Sequence, residues 1–213
     1  WSYNLYAEEK NNPGQLMPLE SDENGTSIFS SKDLCLIKEI PEIIDMGVDS
    51  LKIEGRLKTE YYVASVVNAY RTAIDDYMKD PENYDYTKYL NELEKVKTRP
   101  FTTFYFNDRK NEDIQDFSGK QYNDKYEFGG KIVEAKEEKS VIEIKNKLTV
   151  GDTLEILKPG QFEPIEFKIE QLWDYETGEK IDFVSPGVKG QKVLMNIPVK
   201  CENNWIMRRK KGN

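Results

Sequence analysis

Apolar side chains in residues 58–78 return at helical spacing, with Val63, Val66, Val67, Tyr70, Ala73, Ile74 and Tyr77 on one face. That pattern predicts one long helix with a single buried stripe. Upstream the signals are shorter. Residues 27–31 read as a β-type run, and Asp33 follows as a candidate N-cap. A short helix then carries Leu34, Cys35, Leu36 and Ile37 as far as Pro41, which interrupts one helix but can begin another. The new turn holds Ile43, Ile44 and Met46, and Gly47 is placed to stop it. Residues 48–54 predict a strand, with Gly55 marking the turn into the long helix. Strand, helix, strand, helix is the order of a parallel sheet covered by helices. Two strands cannot close a barrel, so a longer parent protein is expected to supply their neighbours.

Residues 79–121 are rich in Asp, Asn, Tyr and Lys, with a short helix expected over 89–96 and a β-prone run over 100–106. From there the period changes. Short strands are expected over 130–135, 140–144, 153–157, 166–172 and 192–197, with one more over 204–208. Turns fall at Gly151-Asp152, Pro159-Gly160, Thr177-Gly178 and Pro186-Gly187. Strands this short at this spacing predict a small closed or nearly closed antiparallel β-barrel. The expected organisation is therefore an α/β portion over 1–78, a linker over 79–121 and a β domain over 122–213.

Composition narrows the chemistry. The 213 residues include no histidine, which removes Ser-His-Asp and Cys-His catalysis from within this chain. The two cysteines, Cys35 and Cys201, are far apart in sequence, so no metal cluster can be built from them alone. Cys35 falls on the apolar side of its short helix and reads as a buried thiol. The net charge of -8 sits wholly in residues 1–121, which hold 15 Lys+Arg against 23 Asp+Glu, while 122–213 hold 16 of each. Nonspecific binding of nucleic acid by the acidic half is thus disfavoured, and the second half could bind only through a local patch. No stretch is long and apolar enough for a membrane span, nor does a signal segment open the chain, so a cytoplasmic location is expected.

Strand parity selects the sharpest constellation. In a strand over 48–54, Leu51 and Ile53 face the helices while Lys52 and Glu54 face the other way. They would lie at the strand's C-terminal end, where α/β enzymes place their sites. Lys52, Glu54 and Arg56 are therefore the candidate catalytic residues, the structural alternative being a salt-bridged plug in a barrel mouth. Ser31, Lys32 and Asp33 stand at the same end of the preceding strand as candidate substrate-binding residues, with helix capping as the plainer role of Asp33. At the far end, Trp205 precedes Arg208, Arg209, Lys210 and Lys211, a candidate nucleic-acid-binding tail or simply a solvated one.

The run Ser31-Lys32-Asp33-Leu34-Cys35, the run from Gly47 through Ser50-Leu51-Lys52-Ile53-Glu54-Gly55-Arg56 to Lys58, and Tyr61-Tyr62-Val63-Ala64 together resemble peptidase family U32, the collagenase-like peptidases. Phe101-Thr102-Thr103 resembles the family's next block, although Phe104 stands where the family usually carries glycine. The resemblance implies the last strand–helix units of a TIM-type barrel, followed by a small β domain similar to the second domain of elongation factor Tu. It also implies one of two activities for the parent: peptide hydrolysis, or a prephenate-dependent hydroxylation of tRNA with an iron–sulfur cluster held by cysteines upstream of this chain. No cofactor is expected within the chain itself. Peptide or protein, tRNA, and a small anionic carboxylate such as prephenate are the expected partners. A non-catalytic module that recruits RNA or protein is the third reading.

Overall fold

A computed structural model describes residues 5–8, 13–14, 16–22, 25–27, 31–107, 125–187 and 191–211. The chain folds into two compact units, residues 1–36 with 98–123, and residues 37–97 with 124–213.

In the first unit, strands β1 (Leu5–Glu8), β2 (Leu16–Asp22) and β3 (Gly25–Ser27) form an antiparallel meander in that order. The sequence reading placed no strand over 1–26. Strand β4 (Asp33–Leu34) pairs in parallel with β5 (Phe101–Thr102). Asp33 is thus a strand residue and not the cap of a helix. Its carboxylate is held by the Arg99 guanidinium and by the Arg99 backbone N–H at 3.0–3.1 Å, which leaves no cap for residues 34–37 to build on. The β-prone run over 100–106 stops after two residues. Beyond it Phe104 holds φ +47°, the left-handed region that favours glycine, and its N–H donates to Thr102 Oγ1 at 3.1 Å. The backbone therefore keeps a glycine-like turn at a position where this chain has an aromatic residue.

The second unit begins with helix α1 (Ile40–Asp45), with Pro41 in its first turn and Gly47 at φ +78° beyond its end. Helix α2 (Glu60–Lys79) is the long helix expected, capped by Thr59 Oγ1, which accepts the Tyr62 N–H at 3.2 Å. Its buried stripe is Tyr61, Ser65, Val66, Ala69 and Ala73, so Val63 and Val67 of the expected face lie exposed. Helix α3 is Thr87–Leu93. Tyrosine hydroxyls tie the helices together: Tyr77 donates to Asp45, and Tyr84 donates to the Ile37 carbonyl. Tyr89 donates to Asp76, which also takes Lys88 at 2.8 Å. Residues 48–54, expected as a strand, run without regular structure between α1 and α2. A parallel strand needs a hydrogen-bonded neighbour, and the described residues provide none here.

The described residues of the remaining chain make ten strands: β6 (Tyr126–Glu134), β7 (Ser140–Ile144), β8 (Leu148–Thr149), β9 (Thr153–Leu157), β10 (Ile165–Lys168), β11 (Leu172–Asp174), β12 (Lys180–Ile181), β13 (Phe183–Val184), β14 (Lys192–Met195) and β15 (Ile206–Lys210). Eight form one curled antiparallel sheet, in the order β10-β9-β15-β6-β7-β14-β11-β12, and β8 pairs with β13. Among the described residues the sheet is a half-barrel whose end strands are not partners, a more open form of the closed or nearly closed barrel expected. The run over 166–172 accordingly splits, with β10 at one edge and β11 near the other.

Alternation assigns the two faces. The inner face packs Ile132, Ile142, Ile144, Leu154, Ile156, Leu172, Val193, Met195 and Met207 into one core, where each fully buried aliphatic side chain contributes roughly 1.5–3 kcal/mol. Gly130 allows β6 and β7 to approach closely, since a Cβ there would meet the Glu143 carbonyl oxygen at 2.8 Å.

Candidate functional site

On the outer face, β15 places Arg208 opposite Glu155 of β9 and Phe128 of β6. Arg208 is 0% exposed, a costly position for a cation unless it is paired on every side. Its Nε donates to Glu155 Oε2 at 2.7 Å, and its two terminal nitrogens reach the carboxylate of Glu92 on α3. Lys95 Nζ lies 2.9 Å from the same Glu92. The Tyr126 ring packs 5.1 Å from the guanidinium carbon, and Tyr61 of α2 donates to the Lys95 carbonyl at 2.9 Å. Burial alone would raise the Glu92 pKa, but the hydrogen bond and charge of Arg208, aided by Lys95, bring it below the ordinary carboxylate value. Burial also pushes the Tyr61 phenol up, against the influence of Arg208. Every group in this cluster is committed to another member. It fastens α2 and α3 to the sheet.

Arg209 points the other way by alternation and is held by Glu127 and Asp152. The candidate nucleic-acid-binding run Arg208, Arg209, Lys210 and Lys211 is therefore no solvated tail. Its two arginines sit in ion pairs, and Lys210 is exposed at the end of β15. The apolar run Trp205-Ile206-Met207 leading into Arg208 carried the signal that this segment enters the fold.

The candidate catalytic residues Lys52, Glu54 and Arg56 are all exposed. Glu54 Oε1 accepts the backbone N–H of Arg56 at 2.6 Å, closing a local turn. The next turn bonds Lys58 N–H to the Gly55 carbonyl at 3.0 Å and leaves Leu57 at φ +64° and 99% exposed. One ammonium, one guanidinium and one carboxylate are thus presented to solvent on one short loop. Ser31, Lys32 and Asp33 belong to the other compact unit, where Arg99 Nη1 donates to Ser31 Oγ at 3.3 Å and Lys32 is half-buried. Ser31 and Asp33 thus share one arginine, which makes this trio a clamp between β4 and the segment before β5.

The groups that sequence reasoning missed lie further along the outer face. Trp173 of β11 pairs across strands with Leu194 of β14 and with Lys180 of β12. Lys139 Nζ lies 4.0 Å over the Trp173 ring, and Lys192 Nζ lies 5.6 Å from the ring centre of the exposed Tyr175. The period-two spacing of Trp173 and Tyr175 ahead of the Thr177-Gly178 turn was the available sign. Among the described residues no group of three or more histidine, cysteine, aspartate or glutamate side chains could hold a metal ion. No described helix is long and apolar enough to cross a membrane.

Comparison with known proteins supplies the family. The sequence profile of peptidase family U32 matches residues 1–116, and that of the family's C-terminal domain matches residues 124–208. The chain belongs to peptidase family U32. It is similar to tRNA hydroxylation protein P1 of Bacillus subtilis, at 37% identity over 185 residues, covering 85% of this chain and 43% of that protein. It is also similar to tRNA hydroxylation protein P of Escherichia coli, at 35% over 202 residues, covering 94% of this chain and 43% of that protein. A collagenase of Porphyromonas gingivalis is 30% identical over 190 residues, covering 85% of this chain and 49% of the collagenase. The chain thus spans less than half the length of these curated relatives.

Proposed function

We propose that this chain is the C-terminal part of a tRNA hydroxylation protein, and that its β half serves to engage the tRNA. The observation that carries this reading is the match of two proteins named for tRNA hydroxylation over 85% and 94% of this chain at 37% and 35% identity, against 30% for the named collagenase. It replaces peptide hydrolysis, the first expectation from the family's name.

In this reading the exposed loop with Lys52, Glu54 and Arg56 belongs to the rim of a TIM-type barrel whose other strands lie in the rest of the parent. Val48 and Leu51, 47% and 37% exposed, are apolar positions that neighbouring strands would cover. Lys52 and Arg56 would bind a small carboxylate co-substrate by charge and hydrogen bonding, with Glu54 fixing the turn between them. An iron–sulfur cluster would supply the redox chemistry from cysteines outside this chain. Cys35 and Cys201 do not make a ligand set, so no step is assigned to them. The likeness of the β half to the second domain of elongation factor Tu, and a cytoplasmic site of action, belong to the same proposal.

The test is made on the full-length protein. A strain lacking it should lose one tRNA nucleoside bearing an extra oxygen, detected by mass spectrometry of digested tRNA, and the intact gene should restore it. Unchanged nucleosides, together with gelatin cleavage by the purified protein, would overturn the proposal in favour of hydrolysis.

A further inference from the structure

The outer face that α2 and α3 cover over β9, β15 and β6 continues over β14, β11 and β12, where Leu194 and Trp173 are half-buried and Lys180 and Lys192 are exposed. By register, Leu194, Trp173 and Lys180 form one cross-strand row on it, beginning beside the buried Val141. Lys192 lies two residues from Leu194 and so shares the face, opposite Glu143. Tyr175 follows β11 at the start of the next turn and is exposed. Lys139 sits over the first ring and Lys192 over the second. Phe183, 56% exposed, repeats the pairing with Lys147 at 5.0 Å.

We infer that this end of the sheet is a binding surface for single-stranded RNA, with Trp173 and Tyr175 as stacking platforms and Lys139, Lys180 and Lys192 as phosphate contacts. The inference rests on the tRNA reading above and gives it a location. Aromatic rings stack on unpaired bases of any sequence, and lysines beside them neutralise the backbone. Two carboxylates on these strands are engaged locally. Glu143 is bonded to Lys145 at 2.9 Å, and Asp174 Oδ1 accepts the backbone N–H groups of Glu176 and Thr177. Glu176 and Glu179 follow Tyr175 in the loop between β11 and β12, so the strand would run from Tyr175 across β11 and β14 and away from those carboxylates. A ring that already accepts an ammonium is a site for an electron-poor, planar, cationic or polarised face, which a nucleobase or a guanidinium provides.

The experiment uses the whole 213-residue chain and a fluorescein-labelled oligouridine of about 20 nucleotides, long enough to span one binding face. Anisotropy at low and moderate salt should show binding that weakens with salt. Trp173→Ala and Tyr175→Ala should each weaken it about tenfold, the loss of one stacking platform. Lys180→Glu with Lys192→Glu should weaken it and reduce its salt dependence. Lys168→Glu, on β10 at the opposite edge, should change it little. Equal weakening by Lys168→Glu would mean diffuse attraction and overturn the surface, as would full affinity in both aromatic variants. Capture of a protein by the native face, with no RNA binding, would overturn it as well. Tyr175→Ala, whose side chain is exposed, keeps the test valid if Trp173→Ala misfolds. Where the full-length protein carrying Tyr175→Ala, Lys180→Glu and Lys192→Glu hydroxylates tRNA at native rate, this surface fails while the functional reading stands. Failure of the native gene to restore hydroxylation removes the functional reading itself.

Discussion

At the β9–β15–β6 end of the outer face, charge is buried against charge: Arg208 lies between Glu92 and Glu155 with no solvent exposure. At the β14–β11–β12 end, charge lies over aromatic rings, and Lys180, Lys192 and Tyr175 meet water. The same sheet, with the same alternation, thus uses its lysines and arginines in two ways. Where helices cover it, a cation must be fully partnered to be tolerated, and the partners then fix the helices in register. At the other end, Lys180 and Lys192 keep their contact with solvent. Residue type alone does not separate the two ends. Burial does.

The comparison is broken most directly at Arg208. Arg208→Met should cost about 3–5 kcal/mol, because it strands two carboxylates beside buried apolar atoms. Urea denaturation followed by circular dichroism measures this, and a loss comparable to that of an exposed site would mean the cluster is not structural. The same variant should change the pH dependence. In the native protein the folded pKa of Glu92 lies below its ordinary value, so its stabilisation is present above about pH 4.3 and is lost as the pH falls through the lower folded value. Without Arg208, burial governs and the Glu92 pKa rises, so the variant should gain stability as the pH falls from 7 towards 5. The gap between native and variant midpoints should narrow on acidification.

Gly130→Val probes the strand between the two ends. Its Cβ would approach the Glu143 carbonyl oxygen at 2.8 Å and Ile142 Cγ2 at 3.0 Å, and the overpacking should cost about 1–3 kcal/mol. An unchanged urea midpoint would show that β6 and β7 can separate freely. The smallest effects belong to the exposed groups. Tyr175→Ala, and separately Lys52→Ala with Arg56→Ala, should each shift stability by no more than about 0.5 kcal/mol. For the second pair, the expected consequence appears only in the full-length protein, as a weaker response to a carboxylate co-substrate in the tRNA hydroxylation assay.

Local pattern carried much of the fold. The stripe of α2, the Pro41 start and Gly47 stop around α1, and strands β7 and β9 are all legible because they depend on spacing of three to five residues or on one backbone-restricted residue. The misreadings share a different cause. Asp33 reads as a cap until Arg99, 66 positions away, claims its carboxylate. Residues 48–54 have a strand's composition, but a strand exists only with a partner, and none is described beside them. Arg208 reads as a solvated cation until Glu92 is brought to it across 116 positions. Each error concerns a pairing between distant segments, which spacing along one sequence does not encode.

Strand β15 lies between β9 and β6, although it follows both in the chain. On a ribosome adding about 5–20 residues per second, both halves of this sheet are made before the strand that joins them, the β10-β9 half first and the half holding β14 just ahead of it. Until Ile206–Lys210 emerges, β9 and β6 each present an unpaired edge, and Glu92 and Glu155 await their arginine. Closure is therefore a single late event that inserts a strand and neutralises buried carboxylates together. A chain truncated just before Ile206 would lack the centre of its sheet, with two exposed edges open to pairing with other chains.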